Sequence, residues 1–402
     1  MPQRLFTASQ VLPGPCGQRI PDGAVLVDDA TITEIGTREA VERLAADDVV
    51  RQDFPGSTIL PGLINCHVHL VFDPGQDPVA GVHDVSEADL LERMARHARQ
   101  LLDAGVTTVR DLGDRDGLAI RLRDRVNAGE LPGPRIVAAG PPITVPQGHC
   151  WFLGGEADGE RELRDRVRRT AALGADLIKV MVSGGSITPN SPAMWASQFT
   201  PAELRTIVEE ASAAGLPVAA HAHGTEAIAA AVDAGVTTIE HCTWLRDGGG
   251  GYDTRDDVAE RMAGRGIHAC VAWPPDWPGF LDRFGRERAA LIIDRFRWMN
   301  RVGIPLIPGT DAGLGHSPFT EFAGALGLYE HVGFPRERII EMATVVSAGA
   351  LGLDGKTGRL ATCHSADLLV VPGDPLTDLG VLGRQESLVV RGQTWKPAAA
   401  SS

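Results

Sequence analysis

Seven polar residues interrupt otherwise apolar stretches of the chain, and their types suit metal chemistry. His67 and His69 close the run INCHVHL (64–70), and Lys179 lies inside DLIKVMV (176–182). His221 and His223 close PVAAHAH, His241 closes TTIEH, and Asp311 follows IPLIPGT. Imidazole nitrogens and a carboxylate oxygen are ordinary ligands of a divalent transition metal. Taken singly, each has a plainer reading. An HxH pair is also the end of a strand with two hydrogen-bonded histidines, and Asp311 in PGTDAG is also a turn aspartate. Lys179 is the odd member: an ammonium would repel a cation, so it must be neutral or chemically changed.

The elements that would position these residues decide between the readings. Eight β-rich runs follow residue 58: 59–69, 106–113, 135–140, 176–182, 217–222, 237–242, 268–273 and 304–311. Segments with helical spacing lie between them, such as EADLLERMARHARQLLDAG and PAELRTIVEEASAAG. The second opens Thr200-Pro201-Ala202-Glu203, a capping-box pattern with proline in the first turn. Gly105, Gly174, Gly215, Gly235 and Gly303 fit left-handed helix ends. Near-continuous apolar strands alternating with helices predict an α/β fold, a (β/α)8 TIM barrel, over an open doubly wound sheet. In such a barrel all C-terminal strand ends open on one face, and residues two apart share a side of the strand. The seven residues then gather at the same end of five different strands, which favours a metal site over seven separate accidents.

The ends of the chain differ. AVLVDDATITEIG predicts two strands around an acidic turn before the polar helix REAVERLAA, and RLATCHSADLLVVPGDP and SLVVRGQTW predict strands without helices. Unpaired strand edges are costly, so the two ends are expected to combine into one small β-sandwich domain. The division is 1–58 and 359–402 for that domain and 59–358 for the barrel. The formal charge of -14 argues against a general nucleic-acid binder, which would need a basic face. No apolar run reaches the length of a membrane span, and the first residues lack a secretory core. Six cysteines without a CxxC pair favour reduced thiols and a cytoplasmic setting.

HVH on the first strand, lysine on the fourth, HAHG and EHCTW on the fifth and sixth, and TDA on the eighth resemble the metal-dependent amidohydrolase superfamily. STILPGLINCHVHL, VTTVRDLG and ADLLVVPGDPLTDL carry the resemblance over nearly the whole chain. KVMVSGG with HAHG is most similar to the branch of imidazolonepropionase-related proteins, metal-dependent Xaa-Pro dipeptidases (prolidases) and ochratoxinase-like amidases. The resemblance implies two divalent metal ions, zinc first among them. His67, His69 and Asp311 would hold one ion and His221 and His241 the other, with a carboxylated Lys179 bridging them. It implies a catalytic proton carrier at Asp311, with His223 beside the substrate or supporting the ligands. His149, in PQGHCWF after the third strand, lies at the end where it either contacts a substrate oxygen or caps a loop turn. It also implies a homo-oligomer and a small-molecule amide or dipeptide substrate. A cyclic amide, lactone or ester on the same metals is the alternative, and a non-catalytic scaffold is disfavoured because no ligand is missing.

Two further expectations concern the pocket. Trp151, Trp195, Trp244, Trp273 and Trp277 fall just beyond strand ends and suggest aromatic walls. GGSITPNSPAMWASQF lacks Arg, Lys and Tyr, which argues against a clamp for a terminal carboxylate of the kind used by carboxypeptidase-like relatives. Arg110, in RDLG, is expected to be structural and to support Asp111. His83, His97, His268, His331 and His364 are expected to be structural, and His316 to lie on a surface loop.

Overall fold

The computed structural model of the protein describes residues 3–397. Its strands are, in chain order, β1 (Arg4–Val11), β2 (Ile20–Asp28), β3 (Thr31–Thr37), β4 (Val50–Pro61), β5 (Leu63–Val68), β6 (Val106–Asp111), β7 (Arg135–Ala138), β8 (Ile178–Met181), β9 (Val218–Gly224), β10 (Thr238–Leu245), β11 (His268–Ala272), β12 (Leu306–Gly309), β13 (Leu368–Pro372), β14 (Ser387–Val390) and β15 (Gln393–Thr394). The chain divides into two compact units. One comprises the N-terminal segment ending at Asn65, Ala98–Thr108 and the segment from Phe319 onward, and the other comprises Cys66–His97 and Val109–Pro318.

In the first unit both ends of the chain enter one seven-stranded sheet, ordered β15-β14-β13-β4-β1-β2-β3. The N-terminal part supplies β4 and the C-terminal part β13, paired antiparallel from Leu368 opposite Pro61 to Pro372 opposite Ser57. Phe6, Val25, Val27, Ile32, Ile59, Leu368, Val370 and Val389 are fully buried in its core. Burying each of these stabilises the unit by about 1.5–3 kcal/mol. Two of its strands are not predicted from sequence: β1, and β4 with its polar start VRQDFPG. The first barrel run was expected to begin at 59, but β4 continues to Pro61 and β5 begins at Leu63. Gly62 separates them where a Cβ would stand only 2.2 Å from the Thr107 side chain.

The second unit carries the parallel strands β12-β11-β10-β9-β8, together with β7 and the C-terminal parts of β5 and β6, which form a separate sheet in the order β5-β6-β7. All eight predicted runs are strands. The helices Leu118–Asn127, Gly159–Ala172, Pro201–Ala213, Thr225–Ala234, Asp256–Gly264 and Gly285–Val302 occupy successive crossovers. Thr200 caps Pro201–Ala213 through the Glu203 amide, and the Glu203 carboxylate accepts from the Thr200 amide at 2.8 Å. The five expected helix-end glycines all have φ between 71° and 88°. Every residue of β8 and β9 is buried, as strands covered on both faces require. Backbone hydrogen bonds also join Ile143 to Lys179 (2.8 Å) and His69 to Ala312 (2.8 Å).

Two strand ends depart from extended backbone. His241, Cys242 and Trp244 have φ of 64°, 49° and 55°, and Asp311 has 58°. The pairing of β10 with β9 slips between His241 and Leu245 at the same place. Non-glycine residues held in this region carry strain that the surroundings must stabilise, and such residues cluster at functional sites.

Candidate active site

His67, His69 and Asp311 meet because β5 and the end of β12 lie side by side. The amides of Asp311 and His69 bond to the carbonyls of His67 (2.9 Å) and Ala312 (2.8 Å). Gly309 allows this approach, since a Cβ there would stand 2.6 Å from the His67 Cβ. Asp311 Oδ1 then lies 3.2 Å from His67 Nε2 and 3.3 Å from His69 Nε2. That oxygen is buried and makes no hydrogen bond. Burial opposes its ionisation, but His67 beside it wins and holds Asp311 well below the usual carboxylate range.

The outer nitrogen of His69 is hydrogen-bonded to an acceptor, and that of His67 lies beside one without forming a hydrogen bond to it. His69 Nδ1 is 3.0 Å from the Gly113 carbonyl. A carbonyl only accepts, so the proton sits on Nδ1 and the Nε2 lone pair faces Asp311. His67 Nδ1 is 3.0 Å from Glu240 Oε2. Burial alone would lower His69, but the Asp311 carboxylate raises it.

A second group consists almost wholly of imidazoles. The His221 ring centroid lies 4.6 Å from His223 and 4.7 Å from both His241 and His149. His223 stacks on His241 at 4.6 Å, and His241 reaches back to His67 at 5.0 Å. The ligand atoms of His221, His223 and His241 are close enough to share one ion, as are those of His67, His241 and Asp311. His221 Nε2 faces the Gly184 carbonyl at 3.1 Å, which leaves the lone pair on Nδ1. Burial keeps all four neutral: His221 and His241 fall well below the ordinary value, His149 to about 4 and His223 to about 3.

Lys179 is 1 % exposed in β8, two residues before Met181, which pairs with His221. No hydrogen bond or ion pair holds its ammonium among the described residues, and burial lowers its pKa. His149 is brought in from the segment after β7. Its Nδ1 is 3.0 Å from Thr188 Oγ1, and a Cβ on Gly185 would stand 2.3 Å from its ring. His223 Nδ1 is 2.9 Å from Thr243 Oγ1, whose hydroxyl donates to the His223 carbonyl.

The amidohydrolase family pattern matches residues 58–394. The chain belongs to the amidohydrolase family. It is similar to the ochratoxinase of Aspergillus niger, 25% identical over 98% of this chain and 85% of that protein. It is also similar to the imidazolonepropionase of Mesorhizobium japonicum, 26% identical over 87% of this chain and 86% of that one. The crystal structure of a Xaa-Pro dipeptidase with methionine bound in its active site superposes with a TM-score of 0.83, 28% identity, and coverage of 98% and 100%. This amidohydrolase is therefore an enzyme, a hydrolase with the α/β fold of that family. Among the described residues no helix is long and apolar enough to cross a membrane.

Three expectations about the amidohydrolase site need correction. Arg110 does not support Asp111. Adjacent strand residues point to opposite sides, and Arg110 pairs instead with Glu240 at 2.9 Å. Asp111 accepts from the amides of Leu70 (2.8 Å) and Gly113 (3.1 Å). Trp244 is no pocket wall: the left-handed turn after His241 places it in the core against Trp298, 5.0 Å between ring centroids. Trp273 is likewise core, packed on Phe280 and Phe296. Glu240, Thr188 and Thr243 were missed. Only Glu240 left a signal, as a charged residue in the apolar strand TTIEHC.

Proposed function

We propose that this amidohydrolase binds two divalent metal ions, zinc first among candidates, and hydrolyses an amide C–N bond in a dipeptide, an N-acyl amino acid or a related amide with an apolar group. The observation that carries this reading is the buried, hydrogen-bond-free Asp311 Oδ1 facing two imidazole nitrogens within 3.3 Å. These three atoms converge stably only with a positive charge among them, a proton on an imidazole or a metal ion, and the two-imidazole, one-carboxylate set suits a divalent metal. His67, His69 and Asp311 would hold one ion, and His221 and His241 the other.

Lys179 would bridge the two as a carbamate. Burial favours its neutral amine, the form that adds to carbon dioxide, and the carbamate supplies an anion where an ammonium would repel metal. When bound, the ions would supply a Lewis acid and lower the pKa of water from 15.7 towards about 7. Asp311 takes the proton of the attacking water and delivers it to the leaving nitrogen. His149 and His223, neutral and buried, orient the substrate and keep bulk water out. The two hydrogen bonds Ile143–Lys179 and His69–Ala312 support reading the eight strands as one closed (β/α)8 barrel.

The test is metal analysis of protein purified without chelator, followed by assays on dipeptides, N-acyl amino acids, lactones and simple esters. About two ions per chain with cleavage of the amides is expected. Cleavage of lactones or esters alone would shift the substrate class, and a metal-free protein active on amides would overturn the reading.

A further inference from the structure

Glu240 and Arg110 are the most deeply buried charged pair beside the site, at 0% and 3% exposure. Such a pair rarely repays its desolvation in stability, so its geometry is the informative feature. Arg110 spends its donors on three fixed targets: Nε on the Cys66 carbonyl (2.8 Å), Nη1 on Thr238 Oγ1 (2.8 Å) and Nη2 on Glu240 Oε1 (2.9 Å). The Thr238 hydroxyl, already accepting from Arg110, donates to the same Oε1 at 2.6 Å. Two donors therefore lock one carboxylate oxygen, and the other, Oε2, lies 3.0 Å from His67 Nδ1 without in-line hydrogen-bond geometry and has no hydrogen bond of its own.

We propose that Glu240, clamped by Arg110 and Thr238, is a positioning residue that keeps the His67 proton on Nδ1 and thereby presents a bare Nε2 towards Asp311 and the metal. The clamp holds the negative Oε2 beside Nδ1, and that charge favours the tautomer with its proton there. The role of Nε2 rests on the two-metal reading above, whereas the position of the proton does not.

The substitution Glu240→Gln separates this role from mere packing. Its shape is unchanged, but Arg110 and Thr238 both donate and so demand the amide oxygen. The amide NH2 must then turn to His67 and donate to Nδ1. The imidazole proton is driven to Nε2, where it faces Asp311 Oδ1 as a hydrogen-bond donor and occupies the direction a metal would take.

The experiment is long-range proton–nitrogen NMR on metal-free protein with 15N-labelled histidine, His67 being assigned by its loss in His67→Gln, together with zinc titrations. Wild-type protein is expected to show His67 protonated on Nδ1, and E240Q on Nε2. Zinc affinity of E240Q should fall about 10–100-fold, with Glu240→Asp recovering part of it. A wild-type His67 protonated on Nε2 overturns the proposal, as does a folded E240Q with unchanged tautomer and zinc affinity. If E240Q does not fold, the wild-type tautomer decides alone. Failure of wild-type protein to bind zinc would sink the two-metal reading and leave the tautomer result standing.

Discussion

The two halves of the site use the same side chain in opposite electrostatic settings. His67 and His69 lie against carboxylates, Asp311 at 3.2 and 3.3 Å and Glu240 at 3.0 Å. His149, His221, His223 and His241 lie chiefly against each other, ring centroids 4.6–4.7 Å apart. The first half brings its own negative charge and would attract a cation even as it folds. The second offers neutral lone pairs and no charge, so it fits an ion only as a set. A buried arginine attends each half and repeats the contrast. Arg110 has a carboxylate partner, whereas Arg295 stacks on Tyr252 at 4.6 Å and donates to the Thr243 carbonyl at 2.8 Å, with no ion pair among the described residues.

The largest effect is expected from removing the charge of the first half without changing its shape. Asp311→Asn should lower kcat about 1,000-fold or more and strip one ion, measured by steady-state kinetics and metal analysis. Retention of both ions would show that the halves are not so different. Next, Arg110→Met should cost about 3–5 kcal/mol in denaturant unfolding, because it leaves Glu240 buried and unpaired. Arg295→Met should cost about 2 kcal/mol or less, the scale of its contact with Tyr252; equal losses would erase the contrast between the arginines. His241→Ala should leave one ion per chain and reduce turnover on the order of 100-fold. Loss of both ions would mean that the halves bind as one.

The smallest effect concerns pH in metal-free protein. Burial lowers His223 to about 3, while in the unfolded chain it titrates near 6.5. Below about 6.5 the unfolded state takes up a proton that the folded state refuses. The contribution of His223 is therefore full above that pH and is lost as pH falls towards 3. Between pH 7 and pH 5 wild-type protein should lose about 2 kcal/mol more stability than His223→Asn. Parallel losses in the two proteins would show that His223 is not kept neutral.

The ligand-type residues were legible because strand alternation and a common strand end are visible in sequence. His67, Lys179, His221, His241 and Asp311 each interrupt an apolar run. The supporting residues were less legible for a physical reason. Alternation assumes extended backbone, and His241 leaves it at φ 64°. Past that point neither Trp244 nor Thr243 could be assigned a side, so a core indole looked like a pocket wall. Glu240 was overshadowed by its neighbour His241, and the partner of Arg110 lies 130 residues away. Strand β4 begins in polar residues around a proline, where propensity argues against a strand and pairing with β1 overrides it.

The pairing of β4 with β13 has a consequence for synthesis. Pro61 meets Leu368, so one edge of the terminal sheet waits while about 300 residues are translated, roughly 15–60 s at 5–20 residues per second. Throughout that interval β4 presents unpaired backbone and the apolar Ile59 and Leu60 to the cell. A ribosome stalled before residue 368 would hold a chain whose catalytic half is fully encoded but whose first sheet is still open. Recruitment of a chaperone to nascent chains should therefore persist until β13 emerges.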